Sequence, residues 1–201
     1  MANLAELFNE KQAEALAKLA GSFSAEPQPF IHYEPDNSKF ENDQLEVRGT
    51  GKVALYPEGM TKTFFGPDTL DYDAHIVAVP LRTREIEGYA KLGQIVQIRC
   101  KKTGKTKYAF CEARGGVPKA DFFMTPGMAK AMGLVVKDGG LEYPDGSIIR
   151  NGDFEYRVVA DSGAAMYHEL KETKYWRESE PLRLFSQEMK QLVKEVNEKY
   201  V

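Results

Sequence analysis

Between residues 52 and 160 the chain is a succession of short runs, KVALY, HIVAVPL, QIVQIRC, KYAFC, SIIR and EYRVVA. Val, Ile and Tyr dominate these runs, and Gly, Pro, Asp and Lys separate them, the pattern of β-strands joined by turns. A single helical segment interrupts the series at residues 126–132, opened by Pro126 and closed by Gly133. A chain patterned in this way builds its core from a sheet, and helices flank it.

Both ends read as helix. Residues 3–20 form an amphipathic pattern in which Asn3 and Glu6 are spaced as a cap and its partner. Leu4, Leu7, Phe8, Leu16 and Leu19 make its apolar stripe, and Gly21 stops it. Residues 22–50 break that pattern with Pro27, Pro29, Pro35, Asp36 and Asn37, which favour turns and extended chain, so this stretch is expected to be a linker or strap. At the other end, Leu182, Phe185, Met189, Leu192, Val193 and Val196 recur at helical steps, with Pro181 as the first helical residue. The expected domains are therefore a helix over 1–21, a strap over 22–50, a β domain over 51–170 and a helix over 178–201. The terminal helices are expected to pack on their own chain first, with docking on a neighbouring subunit as the alternative.

Composition narrows the function classes. The 201 residues are 42% hydrophobic, enough apolar surface to offset the entropy of ordering the chain. A net charge of -3 gives no reason to expect nucleic acid as a partner, and Lys101, Lys102, Lys105 and Lys107 read as a solvated hairpin turn. No stretch approaches the roughly 18 apolar residues of a membrane span. Glu6, Glu10, Lys11, Glu14 and Lys18 interrupt residues 2–20 where a secretory leader would be apolar, so the expectation is a chain without a signal peptide, cytoplasmic as synthesised. Cys100 and Cys111 lack disulfide-framework or zinc spacing, and His32, His75 and His168 lack ligand spacing, so no metal is expected. Phosphate-cradling GxGxxG and GxxxxGK[ST] motifs and the GxSxG nucleophile elbow are missing from the sequence, so no cofactor is expected either.

The most informative stretch is residues 91–134, KLGQIVQIRCKKTGKTKYAFCEARGGVPKADFFMTPGMAKAMGL. It reads as a hairpin turning at Lys102, Thr103, Gly104 and Lys105, then a Gly115-Gly116 loop, a strand at residues 120–123 and the short helix. This order resembles the double-psi β-barrel group, in which a KLG…TGK…Y hairpin leads through a glycine loop to a strand and helix. The resemblance implies a six-stranded double-psi β-barrel, mainly β with flanking helices (α+β). Two classes within the group are similar over residues 70–135. The membrane-bound lytic transglycosylase A class is similar at Ala113, Arg114, Gly115, Gly116 and Asp121. The chitosanases of glycoside hydrolase family 75 are similar at residues 73–80 (DAHIVAVP) and 91–94 (KLGQ). The chain departs from both: Ala113 stands where the first class has an Asp, with Glu112 one place earlier, and Phe123 stands where the second has its Glu, two places after Asp121.

What the resemblance implies is cleavage of a peptidoglycan or chitosan-like polymer, with Asp121 as general acid and then base. Its neighbours Phe122, Phe123 and Met124 would raise its pKa toward that role. The bland alternative is that Asp121 caps a strand end or accepts backbone N–H bonds near Thr125 and Pro126. Glu112 becomes the hydrolytic partner if a β-bulge brings it round, and is otherwise a surface acid. Arg114, Gly115, Gly116 and Thr125 are the residues expected to contact the sugar chain. A faint internal repeat aligns residues 108–115 (YAFCEARG) with 156–163 (YRVVADSG) at an offset of 48. The second copy supplies Asp161 where the first has Ala113, and Asp161, His168 and Glu169 form the runner-up polar cluster. The competing function is a catalytically silent barrel, a structural or binding component of an assembly such as a phage particle, with protein partners or further copies of itself contacting the terminal helices.

Overall fold

A computed structural model describes residues 8, 10–12, 14–15, 51–56, 75–80, 90, 93–115, 120–160 and 180–201. In chain order the elements are β1 (Val53–Leu55), β2 (Ile76–Pro80), β3 (Ile95–Cys100), β4 (Thr106–Gly115), β5 (Phe122–Met124), α1 (Pro126–Ala131), β6 (Val135–Lys137), β7 (Gly140–Glu142), β8 (Phe154–Ala160) and α2 (Glu180–Tyr200). Residues 8, 10–12, 14 and 15 are helical, within the span expected for the first helix; the strap at 22–50 lies outside the described residues.

Six strands form one mixed sheet in the order β1-β5-β2-β4-β3-β8. The β1/β5 and β2/β4 pairs are parallel, while β2/β5, β3/β4 and β3/β8 are antiparallel. The protein is thus mainly β with flanking helices. Among the described residues no ladder joins β1 to β8, so the sheet is open rather than closed by hydrogen bonds. Its two edges still come together at one corner. Gly51, at φ +63, lies so close to the Phe154 carbonyl that a side chain there would collide with it.

Side-chain alternation along the strands gives the sheet two buried faces. On the first, Val77, Val96, Ile98, Cys111, Phe122, Met124 and Tyr156 pack with Met128, Ala129 and Met132 of α1. The Phe122 and Tyr156 rings meet edge to face at 4.5 Å. The second face carries a smaller cluster of Tyr56, Ile76, Ala113, Ala120 and Phe123, and α2 packs against β4 on that side. There too Phe8 lies 5.3 Å from the Tyr108 ring, and the Gln12 side chain donates to the Gly93 carbonyl at 2.9 Å. The stripe of α2 faces inward at Met189, Leu192, Val193 and Val196, while Gln187, Glu188, Gln191, Lys194 and Glu195 face solvent.

The structure departs from the sequence reading in three places. Residues 147–150 (SIIR) pair with another strand only through one isolated bridge, Ile148 to Glu142, and Ile148 is 79% exposed. The two-stranded ribbon β6/β7 was not foreseen, although its Asp138-Gly139 turn, with φ +49 and +74, is a strong hairpin signal. The internal repeat fails in register: Tyr108 pairs with Gln97 and Tyr156 with Ile98, so the two tyrosines point to opposite faces of the sheet.

Candidate functional site

The carboxylates singled out in the sequence sit on different elements and have different partners. Along the β2/β4 ladder, Val77 pairs with Cys111 and Ala78 with Ala113, which leaves Glu112 as the extra residue of a β-bulge. The bulge turns Glu112 under α2. Glu112 is 1% exposed, so the surface-acid alternative is overturned. Its Oε1 accepts a hydrogen bond from the Ser186 hydroxyl and lies 3.2 Å from the Lys190 ammonium. Ser186 and Lys190 are four residues apart on α2 and so share the helix face that meets the bulge. The buried Tyr56 phenol has its pKa raised, by burial first and by the Glu112 charge second.

Asp121 is 8% exposed and precedes β5. Its Oδ2 accepts the backbone N–H of Lys52 at 3.2 Å, and its own N–H donates to the Lys52 carbonyl at 2.7 Å. These reciprocal bonds join the residues that lead into the parallel strands β1 and β5. Asp121 is thus tethered to a main chain, that of Lys52 rather than that of the helix start at Thr125 and Pro126.

Thr125 is buried, and its Oγ1 accepts the Met128 N–H at 3.1 Å as the N-cap of α1, so its hydroxyl is engaged within the fold. Thr125→Ala is expected to cost about 1 kcal/mol in urea unfolding, and Thr125→Ser to recover most of it. Arg114 and Gly115 belong to β4, paired with Val79 and Pro80, rather than to a glycine loop. Gly116, Asp161, His168 and Glu169 lie outside the described residues.

Two polar clusters went unread in the sequence. In one, Asn197 of α2 accepts the Tyr108 N–H at 2.8 Å and donates to the Tyr108 carbonyl at 2.9 Å, with its Nδ2 also 3.2 Å from His75 Nδ1. The Tyr108 hydroxyl accepts from Gln97, which accepts from Arg157. Burial pushes the Tyr108 phenol up to about 12, against the opposing pull of Arg157 and Gln97. The available signal was a set of polar residues, Ser186, Lys190 and Asn197, falling beside the apolar stripe of a helix that buries that side.

In the other cluster Lys102 donates to Asp145 at 2.6 Å and to the Ser147 hydroxyl, and its ammonium sits 4.4 Å from the Tyr143 ring centroid. Lys102 is therefore engaged with a neighbouring loop rather than simply solvated. Its hydrogen bond, with those from Ser147, holds the Asp145 carboxyl well below the usual carboxylate range. The Tyr143 hydroxyl donates to Asp153 at 2.9 Å, and burial first and that bond second push its pKa up.

A groove of about 670 Å³ runs between α2 and the amino-terminal helical residues, with Met189, Leu192 and Val196 inside and Lys11, Glu14 and Glu195 on its rims. Among the described residues, no group of three or more His, Cys, Asp or Glu could hold a metal ion, and no helix is long and apolar enough to cross a membrane. The site defined by this geometry is a pair of buried polar clasps between α2 and the sheet, at Glu112 and at Tyr108, with a separate exposed cluster around Lys102. No protein-family model matches the sequence, and neither does any curated protein.

Proposed function

We propose that this chain is a catalytically silent structural or binding protein, and that its acids serve its own fold rather than glycan cleavage. The observation that carries this reading is Glu112, buried and engaged by both Ser186 and Lys190. A glycosidase needs a proton donor facing its substrate and a second group to complete the displacement. Asp121 accepts a main-chain N–H and Glu112 is held beneath a helix, which suits neither task. The double-psi barrel is the finer reading of the same sheet. Its supports are the two parallel pairs and the corner where Gly51 meets Phe154. The partners under this reading are proteins or further copies of the chain meeting the terminal helices. Leu184 and Val201, 47% and 49% exposed near the two ends of α2, offer them apolar contact.

The test pairs two measurements on the intact protein. Incubation with peptidoglycan and with chitosan is expected to release no reducing ends above the blank, and sedimentation equilibrium is expected to show association that rises with concentration. Glycan release that Asp121→Asn abolishes without changing the melting temperature, from a protein that stays monomeric throughout, overturns the proposal.

A further inference from the structure

The chain contains one Asn-Gly pair, Asn151-Gly152, and the fold presents it in an unusual setting. Residues 150–153 form a tight turn closed by the Asp153 N–H donating to the Arg150 carbonyl at 3.2 Å. Asn151 is exposed at the first central position of the turn, and Gly152 at the second has φ +84. Only a residue without a side chain sits easily at such a φ, as at the third residue of a type II turn. Open space surrounds the position a Gly152 Cβ would occupy. Among the described residues, neither the Asn151 side-chain amide nor the Gly152 N–H is engaged in a hydrogen bond.

Asp145-Gly146 has the same local sequence logic with the opposite chemistry. There the Gly146 N–H donates to the Tyr143 carbonyl at 2.8 Å, and Lys102 holds the Asp145 carboxylate charged, which makes it a poor electrophile. Asn151 keeps a neutral, unhindered amide next to an uncommitted backbone nitrogen.

We propose that Asn151 is a site of spontaneous modification to aspartyl and isoaspartyl residues, and that the isoaspartyl form loosens the corner where the two sheet edges meet. The Gly152 nitrogen attacks Asn151 Cγ. The new N–Cγ bond replaces the C–NH₂ bond, and ammonia leaves with the proton from the Gly152 N–H. Water then opens the five-membered imide. Breaking the Cγ–N bond gives aspartate, and breaking the bond to the main-chain carbonyl gives isoaspartate, whose chain runs through the former side chain. The only co-reactant is water, and base accelerates the first step by removing the amide proton.

The location gives this chemistry a structural effect. Gly152 Cα and N lie against Gly51, 3.1 and 3.2 Å from where its Cβ would be, just before β1, and Phe154 begins β8 two residues later. An isoaspartyl link lengthens the turn by one backbone carbon. It also sets a carboxylate beside Asp153, whose Oδ2 already accepts the Tyr143 hydroxyl and the Arg150 N–H.

The experiment incubates the intact protein at mildly alkaline pH, folded and in parallel unfolded in urea, and maps peptides by mass with enzymatic labelling of isoaspartate. Asn151 is expected to convert in the folded protein at a rate close to that of the unfolded chain. It should run ahead of Asn3, Asn9, Asn37, Asn42 and Asn197. The aged protein is expected to melt at a lower temperature than fresh protein, whereas an aged Asn151→Gln variant keeps its melting temperature. If Asn151 remains an amide in the folded chain while converting in urea, the site is overturned. If it converts with no change in melting temperature, or if Asn151→Gln loses as much on ageing, the loosening is overturned.

Discussion

Replacing Lys190 with methionine is expected to destabilise the protein by about 3–5 kcal/mol, because it takes the Lys190 ammonium away from the buried Glu112 carboxylate. Lys190 is itself only 12% exposed, so solvent does little to screen the pair. Methionine matches the length of the lysine stem, which confines the loss to the charge. Converting Glu112 as well, in a Glu112→Leu/Lys190→Met double variant, is expected to recover most of the stability, since removing both charges also removes the desolvation penalty. Urea unfolding followed by far-UV circular dichroism across the double-mutant cycle provides the numbers. Equal destabilisation by the single and double changes would show that the site is limited by packing, and the clasp would then have no electrostatic role.

This clasp also shows where sequence reasoning ran out. The strands at QIVQIRC and KYAFC, the hairpin turn around Gly104 and the short helix opened by Pro126 follow from local composition and turn chemistry, and the fold contains them all. The helix at 180–200 was equally visible, because its stripe from Leu182 to Val196 recurs over about four turns. The partner of Glu112 was not visible, since it depends on a bulge in a parallel ladder and on a helix about 75 residues away in sequence. A one-residue shift in strand register changes which face a side chain meets, and no local pattern records it. The sequence reading named a bulge as the condition for Glu112 to turn. The bulge exists, but the residues Glu112 meets there are Ser186 and Lys190.

Asp121 illustrates a related limit. Flanking aromatic residues suggested an apolar surround, and Phe122 and Phe123 are indeed buried, but in different clusters on opposite faces of the sheet. The carboxyl oxygen meets the Lys52 main chain instead, a contact between residues 69 apart. Alternation makes neighbours in sequence poor neighbours in space along a strand. The environment of a strand-end acid is therefore set by the adjacent strand and is not legible from its flanks.

The second large effect is expected at Asn197, whose side chain does the work of a missing strand residue. The β2/β4 ladder begins where the Phe110 N–H donates to the His75 carbonyl, and two residues earlier Tyr108 turns its N–H and C=O toward α2. The amide of Asn197 presents one acceptor and one donor, the same pair a backbone peptide would offer, and satisfies both groups. Asn197→Leu removes both partners from buried main-chain atoms, each of which costs about 1–3 kcal/mol when left unsatisfied. The variant is therefore expected to lose several kcal/mol or fail to fold, and Asn197→Asp resolves the ambiguity. Aspartate still accepts from the Tyr108 N–H but has no donor for the Tyr108 carbonyl or His75, so an intermediate loss is expected. Hydrogen exchange at the Tyr108 amide should remain slow in Asn197→Asp relative to a variant that lacks the acceptor, such as Asn197→Ala. If the Tyr108 amide exchanges equally fast in both, the helix holds β4 through its apolar stripe alone and the strand-mimicking role of Asn197 is wrong.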